Sequence, residues 1–285
     1  MLTLSQIEPR APISSAPFII SRPGSYYLTT NLTVSSGNAI TINTNDVTLE
    51  LNGFTISSTA ASATGVAILL NTGTNAGLSD IQISNGHISS GVTNNNGVFS
   101  GSGFASGIDL PANATQPTYN SIVRYVTVTG CLNDGVILGN GEGTLIEDCV
   151  VQNCGQYGID AFVVRSCQAN FCGTDGVVGY TIDHCFGFTV APGGRAIYAQ
   201  NQAVDCNAIS DASGAVAIWG GNEAINCCGN CENGGGGYGV TAGLIVNCYG
   251  YGLSGSTGLS GNIGIGSVGT GTGTGEVFNY KYNMP

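Results

Sequence analysis

The residues best suited to acid–base chemistry form a regularly spaced charged series. Arg124, Glu147, Arg165 and Asp183 follow one another at intervals of 23, 18 and 18 residues, and His184 comes directly after the last of them. Carboxylates that lie close to an imidazole or a guanidinium can give and take protons. The spacing therefore predicts Glu147, Arg165, Asp183 and His184 as catalytic residues and Arg124 as a substrate-binding residue.

A second interpretation of this series is purely structural. If the four side chains face outward from stacked strands about 4.8 Å apart, Glu147 and Asp183 stand two strands, or roughly 10 Å, from each other. That separation is wide for a retaining glycosidase and near the upper limit for an inverting one. Opposite charges on neighbouring strands also fix the register between them. The sequence favours this charge ladder over a catalytic site.

Three further charged residues, Asp134, Asp175 and Arg195, stand just before a Gly or Ala. We expect them to face outward and consider them candidate substrate-binding residues. Asn133-Asp134-Gly135 and Thr174-Asp175-Gly176 are also good turn sequences, because Asn, Asp and Gly suit tight turns. Turn formation is the favoured explanation for this set.

The cysteines give little support for a metal site. A C-x-x-C pair occurs at Cys228 and Cys231, but a structural zinc site needs four ligands. A second pair is missing, and His87 and His184 are distant in sequence. No glycine-rich loop joins a strand to a helix as nucleotide-binding sites require. The sequence predicts free thiols, no metal and no cofactor.

The elements that must position these side chains are indicated by six cysteines in register. Their steps are 18, 18, 21, 21 and 21 residues, and a period near 20 with a repeated local pattern is typical of solenoids. A shorter row of three lies five residues downstream of Val126 and the first two of the six. The two rows are Cys149, Cys167, Cys185, Cys206, Cys227 and Cys248, and Cys131, Cys154 and Cys172.

Short apolar runs separated by Gly, Asn and Asp indicate strands and tight corners rather than helices. The sequence predicts an all-β chain: a single-stranded parallel β-helix of roughly ten coils whose narrow interior is filled by a column of cysteines. The expected parts are an N-terminal cap at 1–35, the β-helix at 36–251 with loops near 59–76 and 88–120, and a Gly/Thr-rich tail and cap at 252–285.

Charge and composition exclude several classes of function. The chain carries 17 acidic and only six basic residues, for a net charge of −11. Nucleic-acid binding draws much of its affinity from Lys and Arg, so no nucleic-acid partner is expected. No stretch reaches the roughly 18 apolar residues of a membrane span, so no membrane insertion is expected. The first residues have no basic segment and no long apolar core, so we expect no signal peptide in this chain.

The repeats resemble right-handed parallel β-helices of the pectin-lyase-like superfamily. Ile7-Glu8-Pro9-Arg10, Pro23-Gly24-Ser25-Tyr26-Tyr27-Leu28 and Leu49-Glu50-Leu51-Asn52-Gly53-Phe54 further resemble a bacterial group of uncharacterised activity. The superfamily implies the fold, an association with polysaccharides and an extracellular or cell-surface location. The Asp-Asp pair of its polygalacturonase-type hydrolases is missing from this sequence, and basic residues are too few for a pectate-lyase cleft.

Two functional hypotheses follow. The favoured one is an extracellular or surface scaffold without catalytic activity that engages glycans, self-associates, or both. The alternative is a carbohydrate-active enzyme, either a glycoside hydrolase or a polysaccharide lyase, with carboxylates on an outward strand face. The expected partners are accordingly a polysaccharide or further copies of the chain.

Overall fold

A computed structural model describes residues 10–72, 77–111, 114–233, 235–253 and 255–283, and every regular element among them is a β-strand. The prediction of an all-β chain is confirmed. Twenty-eight of the strands belong to one continuous sheet system, and their mutual pairings are parallel. No helix that could span a membrane occurs within these ranges.

The strands, in chain order, are β1 Ala11–Ile13, β2 Phe18–Ile20, β3 Gly24–Leu28, β4 Leu32–Val34, β5 Ile40–Ile42, β6 Val47–Glu50, β7 Thr55–Ser58, β8 Val66–Leu70, β9 Leu78–Ser79, β10 Ile81–Ser89, β11 Gly91–Asn95, β12 Val98–Ser102, β13 Ser106–Asp109, β14 Thr118–Tyr119, β15 Ile122–Thr129, β16 Val136–Gly139, β17 Leu145–Glu147, β18 Val150–Gln152, β19 Ile159–Arg165, β20 Gln168–Cys172, β21 Val177–Asp183, β22 Phe186–Thr189, β23 Arg195–Val204, β24 Asn207–Ser210, β25 Val216–Gly220, β26 Glu223–Ile225, β27 Cys228–Cys231, β28 Tyr238–Val246, β29 Tyr249–Gly252, β30 Thr257–Ile265, β31 Val268–Gly271 and β32 Thr274–Tyr282.

The strands stack as coils of a parallel solenoid with about twelve turns, close to the ten expected from sequence. One column of directly paired residues runs through all of them, so that each coil contributes one member. The column consists of Tyr27, Glu50, Ser84, Arg124, Glu147, Arg165, Asp183, Val204, Ile225, Val246, Ile265 and Tyr282.

The residue that follows this column turns the chain at a sharp corner. Seven successive coils place a non-glycine residue there with φ between 50° and 56°, in the left-handed region: Tyr125, Asp148, Ser166, His184, Asp205, Asn226 and Asn247. Asn and Asp tolerate this conformation best among non-glycine residues, and five of the seven are Asn, Asp or His. The next residue then points into the interior.

That interior position holds the predicted cysteine column. All six thiols of the main row and all three of the shorter row are buried. The N–H groups of Cys149 and Cys167 each lie 3.4 Å from the sulfur of the cysteine on the following coil. Facing residues such as Ala203 and Ala224 are also fully buried. Small apolar groups pack closely at this interior position.

The largest departure from the regular coil lies between β10 and β15. Here β11 and β12 form an antiparallel hairpin, and β14 pairs with β9 on the preceding coil. Residues 110–117 connect β13 to β14 and lie over the outer surface next to Asp109, with 112–113 outside the described residues. This excursion provides one wall of the site described below.

Coil stacking begins with the pairing of β1 to β3 and ends with that of β30 to β32. The Gly/Thr-rich segment 252–285 thus contributes β30, β31 and β32 to the stack. The division into cap, β-helix and tail at residues 35 and 251 stays a prediction. Residues 1–9 and 73–76, which belong to the expected cap and to one expected loop, lie outside the described residues.

The packing of the thiols predicts their reactivity. Of the eleven cysteines, only Cys228 is partly exposed. We expect one thiol per chain to react rapidly with Ellman's reagent in the folded protein and all eleven to react after unfolding in guanidinium. Cys228→Ser should abolish the rapid phase, whereas Cys206→Ser should leave it intact. Two or more rapid thiols in the folded wild type would contradict the buried columns.

Candidate functional site

The charged series predicted as catalytic forms an exposed ladder along one strand face. Arg124 pairs with Glu147 at 3.8 Å, and Arg165 pairs with Asp183 at 3.6 Å, each across one coil step. All four side chains reach solvent and are about one-fifth to one-half exposed. Ion pairs of this kind contribute little energy but match neighbouring coils. The arrangement is an exposed ladder of ion pairs, and a depression of about 550 Å³ lined by His184 lies at its end. The predicted catalytic roles of the ladder residues stay predictions.

His184 lies at the end of this ladder between two carboxylates. Its Nδ1 is 2.6 Å from Asp183 Oδ1, and its Nε2 is 3.7 Å from Asp205 Oδ2. One potential ligand atom from each residue lies within 4.8 Å of the others, so this group could hold a cation. All three belong to the exposed surface, and the sequence expectation of no metal stays a prediction.

Asp175 and Arg195 form a bidentate ion pair. Arg195 Nη2 lies 2.5 Å from Asp175 Oδ2, and its Nε lies 3.2 Å from Oδ1, which also accepts the Arg195 backbone N–H. The Asp175 side chain is only 2% exposed, so its carboxylate is buried against Arg195 rather than open to solvent as expected. A bidentate pair of this kind fixes the orientation of the guanidinium, and the substrate-binding role of Asp175 stays a prediction.

Asp134, the third member of that set, belongs to a different group. Asp109, Asp134 and Asp160 lie on three successive coils and line one cleft of about 620 Å³. Tyr157 and Leu110 contribute to its walls. Asp109 and Asp160 occupy the same outward column two coils apart, which corresponds to roughly 10 Å. The cleft is large enough for a sugar ring and brings three carboxyl groups around it.

The environment raises the pKa of all three carboxyl groups. Burial raises the pKa of Asp109, although hydrogen bonds from Ser106 and from the Leu110 backbone partly counteract it. Burial and the neighbouring Asp109 charge raise the pKa of Asp134 to about 6, against a weaker lowering by the Tyr157 N–H at 3.0 Å. A carboxyl group with this pKa can exchange protons near neutral pH.

Asp160 has the most strongly shifted carboxyl group of the cleft. Burial, followed by the charges of Asp134, Asp175 and Asp109, raises its pKa to about 7. Its Oδ1 is buried and has no hydrogen-bond partner among the described residues. A buried polar atom without a partner is costly in a purely structural role. Two neighbouring carboxyl groups whose pKa values are raised toward neutrality can act in acid–base chemistry.

Sequence reasoning missed Asp109 and Asp160. A signal was present, because the tripeptide Gly-Ile-Asp occurs at 107–109 and again at 158–160, after the glycine that starts an outer strand. Register pairs Ile108 with Val136 and Val136 with Ile159, which places both aspartates on one face. The 28-residue coil between Asp109 and Ile137 conceals the repeat.

Aromatic side chains follow the cleft along the same face. Asp160 pairs with Val178, Val178 with Tyr198, and Tyr198 with Trp219 on consecutive coils. The Arg195 guanidinium lies 3.5 Å from the centre of the Tyr198 ring, which meets Trp219 edge to face at 6.2 Å. The indole of Trp219 is 42% exposed.

No protein-family model and no curated protein matches the chain. Among solved structures, it is similar to the A-module of the Azotobacter vinelandii mannuronan C-5 epimerase AlgE4, with a TM-score of 0.59 and 11% identity over 92% of this chain and 89% of that module. Two weaker similarities are to the Dettilon tailspike protein, with a TM-score of 0.42 and 11% identity over 94% of this chain and 61% of that one, and to a GH136 lacto-N-biosidase from Eubacterium ramulus, with a TM-score of 0.41 and 12% identity over 95% and 58%.

The fold is therefore a right-handed parallel β-helix, the architecture that the sequence resemblance implied. At this level of identity the similarity defines the architecture alone.

The two kinds of ion pair should respond differently to mutation. Asp175→Asn leaves Arg195 without its buried partner and should lower the free energy of unfolding by about 3 kcal/mol. Asp183→Asn removes a solvent-exposed pairing and should cost about 1 kcal/mol or less. Chemical denaturation followed by far-UV circular dichroism measures both. Equal losses in the two variants would contradict the assigned difference in burial.

The raised carboxyl pKa values predict how stability depends on pH. Unfolded aspartates release their protons near pH 4, whereas folded Asp134 and Asp160 retain theirs to about 6 and 7. The folded state thus binds more protons in this interval, so its stability decreases as pH rises from 4 to 7. The melting temperature should fall by about 5 °C between pH 4.5 and 8.

Asp134→Asn/Asp160→Asn should remove most of this decrease, because the amides do not titrate. The matched control is Glu147→Gln/Asp183→Asn, which makes the same change in charge on the exposed ladder and should retain the wild-type dependence. Differential scanning calorimetry across this pH range measures all three proteins. Parallel curves for wild type and the cleft variant would show that the cleft carboxyl groups titrate normally.

Proposed function

We propose that the protein is a carbohydrate-active enzyme that cleaves glycosidic bonds in the cleft of Asp109, Asp134 and Asp160. The observation that carries this proposal is the convergence of three carboxyl groups on one cleft of about 620 Å³. The pKa values of two of them, Asp134 and Asp160, are raised to about 6 and about 7. Further support comes from the buried Asp160 oxygen, which has no partner among the described residues. The fold is also that of a module named as a mannuronan epimerase.

Each carboxyl group has a defined role in this proposal. Asp160, whose pKa is raised more strongly than that of Asp134, is the group that carries the proton in this proposal, and Asp134 is ionised. Asp160 donates its proton to the glycosidic oxygen as the bond to the anomeric carbon breaks. Asp134 takes a proton from the water molecule that attacks this carbon. Asp109 is a positioning residue whose negative charge keeps the pKa of Asp134 high.

The lining of the cleft favours neutral sugars over uronates. Elimination from a uronate requires neutralisation of its carboxylate, for which Arg, Lys or a bound cation serves. The described residues that line the cleft include three aspartates and neither Lys nor Arg. Arg195, the basic residue nearest along this face, is held by Asp175. Hydrolysis of a neutral glycan therefore fits this cleft better than elimination.

The scaffold hypothesis remains as a second candidate and rests on the last strand. β32 pairs with β30, and its nine residues expose Val277, Tyr280 and Tyr282. Exposed apolar side chains along a strand are suited to contact with a further chain. In this alternative the protein is a surface scaffold without catalytic activity that binds glycans and self-associates. An extracellular or cell-surface location suits either function.

The enzymatic proposal is tested by release of reducing ends from soluble β-glucan, xylan, mannan, polygalacturonate and alginate. Wild type should cleave at least one neutral glycan, with a bell-shaped pH profile whose optimum lies near neutral pH. Asp160→Asn should reduce the rate by at least about 100-fold, because it removes the general acid.

Glu147→Gln/Asp183→Asn is the matched control and should retain full activity, because it changes carboxylates of the exposed ladder only. Activity that survives Asp160→Asn but is lost in the control would show that the catalytic residues are Glu147 and Asp183 of the exposed ladder instead. Absence of turnover on every glycan of this panel would favour the scaffold.

A further inference from the structure

A second depression lies on the same face as the carboxylate cleft, beside the exposed indole of Trp219. Its volume is about 380 Å³, and it is lined by Trp219, Thr241, Gly243, Ser260, Gly261 and Asn262. None of the side chains in this group is charged at neutral pH. An exposed aromatic ring beside hydroxyl and amide groups is suited to a pyranose, whose C–H face packs on the ring while its hydroxyls exchange hydrogen bonds.

The indole is held in place before any ligand arrives. Asp175 fixes the Arg195 guanidinium, which stacks on Tyr198, and Tyr198 in turn contacts Trp219 edge to face. Because each ring is fixed by its neighbour, little conformational entropy is lost when a ligand packs on Trp219. This gives the buried Asp175–Arg195 pair a positioning role at the second site.

A gap in a column of asparagines adds polar groups to the depression. Register aligns Asn201, Asn222, Gly243, Asn262 and Asn279 on successive coils. Asn222 Nδ2 donates to Asn201 Oδ1 at 2.8 Å, and Asn279 Nδ2 donates to Asn262 Oδ1 at 3.2 Å. Gly243 interrupts the column between these two pairs. The Nδ2 group of Asn262 has no hydrogen-bond acceptor among the described residues and borders the gap.

The distance from the cleft to this depression fits an extended glycan. Asp160 and Trp219 are three coil steps apart in one column, which is roughly 14 Å at about 4.8 Å per coil. An extended β-1,4-linked chain repeats about every 5 Å per sugar, close to the coil rise of this fold. A chain parallel to the long axis of the solenoid would thus place successive sugars on successive coils.

We propose that Trp219, Gly243 and Asn262 form a remote sugar-binding subsite for a neutral glycan of at least four residues that lies along the solenoid axis. The proposal builds on the proposed function, because it assigns a length and an orientation to the substrate of the carboxylate cleft. The sugar stacks on the indole, and its hydroxyls occupy the gap that Gly243 leaves in the asparagine column. The uncharged lining and the net charge of −11 exclude a polyanion from this subsite.

The test uses the single tryptophan of the chain as its own reporter. Cellohexaose, xylohexaose and mannohexaose are titrated against Asp160→Asn, which blocks turnover, and the intrinsic fluorescence is recorded. At least one neutral hexaose should change the emission of Trp219, whereas the corresponding disaccharide and hexagalacturonate should not. A hexaose that binds by calorimetry without changing the emission would overturn the subsite.

Variants define the contribution of each group. Trp219→Ala in the Asp160→Asn background should weaken hexaose binding about tenfold by calorimetry, because the stacking surface is lost. Gly243→Asn should weaken it similarly by filling the gap with the residue that neighbouring coils carry there. A Cβ at Gly243 would lie 2.9 Å from the Asn222 carbonyl oxygen, so its melting temperature is measured alongside. Tyr249→Ala, an exposed aromatic on another face, is the matched control and should bind normally.

The outcomes separate this proposal from the one on which it rests. In the active protein, Trp219→Ala should raise KM for a hexaose about tenfold with kcat unchanged and leave the kinetics of disaccharides as they were. Turnover with unchanged hexaose KM would refute the subsite and leave the enzyme in place. A fluorescence response without turnover of any hexaose would refute the enzyme and leave the subsite as part of a glycan-binding scaffold.

Discussion

The whole structure depends on a backbone constraint at one corner of the coil. In coil after coil the same position adopts a left-handed conformation, and the amide that follows it bonds to the coil next in line. Because this corner turns the chain through the same angle each time, the flanking strands remain in register over about twelve coils. Both columns of cysteines, the ladder of ion pairs and the two outward clusters derive their alignment from it.

Inside the solenoid, the regular stacking of coils favours small side chains at certain positions, and cysteine occupies them because of its size rather than its reactivity. The interior combines larger apolar residues such as Ile and Leu with the small residues Cys and Ala. Cysteine serves here as a small apolar residue whose sulfur also accepts contacts from the backbone of the adjacent coil. No disulfide joins the described cysteines. A disulfide requires Cβ atoms that point toward each other, which residues stacked in one column do not readily achieve.

The stack of regular coils could be predicted from the sequence, because residues that recur at a fixed spacing indicate a backbone that repeats with the same period. Cys149 to Cys248 defined the register, and the ladder of Arg124, Glu147, Arg165 and Asp183 followed from it. The candidate cleft could not be read in this way. Asp109 and Asp160 lie in one column two coils apart, but the irregular connection after Asp109 lengthens the first coil step to 28 residues, so their spacing in the sequence does not reveal the column. Asp175 was placed outward because the sequence gives no sign that Arg195, twenty residues later, closes over it.

The rise per coil is constant, so it sets the spacing of surface features along the solenoid axis. Residues in one outward column are separated by whole numbers of coils. Duplication or deletion of one coil between Asp160 and Trp219 would therefore change the distance between them by one coil rise, about 4.8 Å. Such an event leaves the hydrogen bonding of every other coil intact, since each coil contacts only its neighbours. Gain or loss of whole coils can therefore change the length of a binding groove in steps of one coil rise, while the residues at both ends of the groove stay the same.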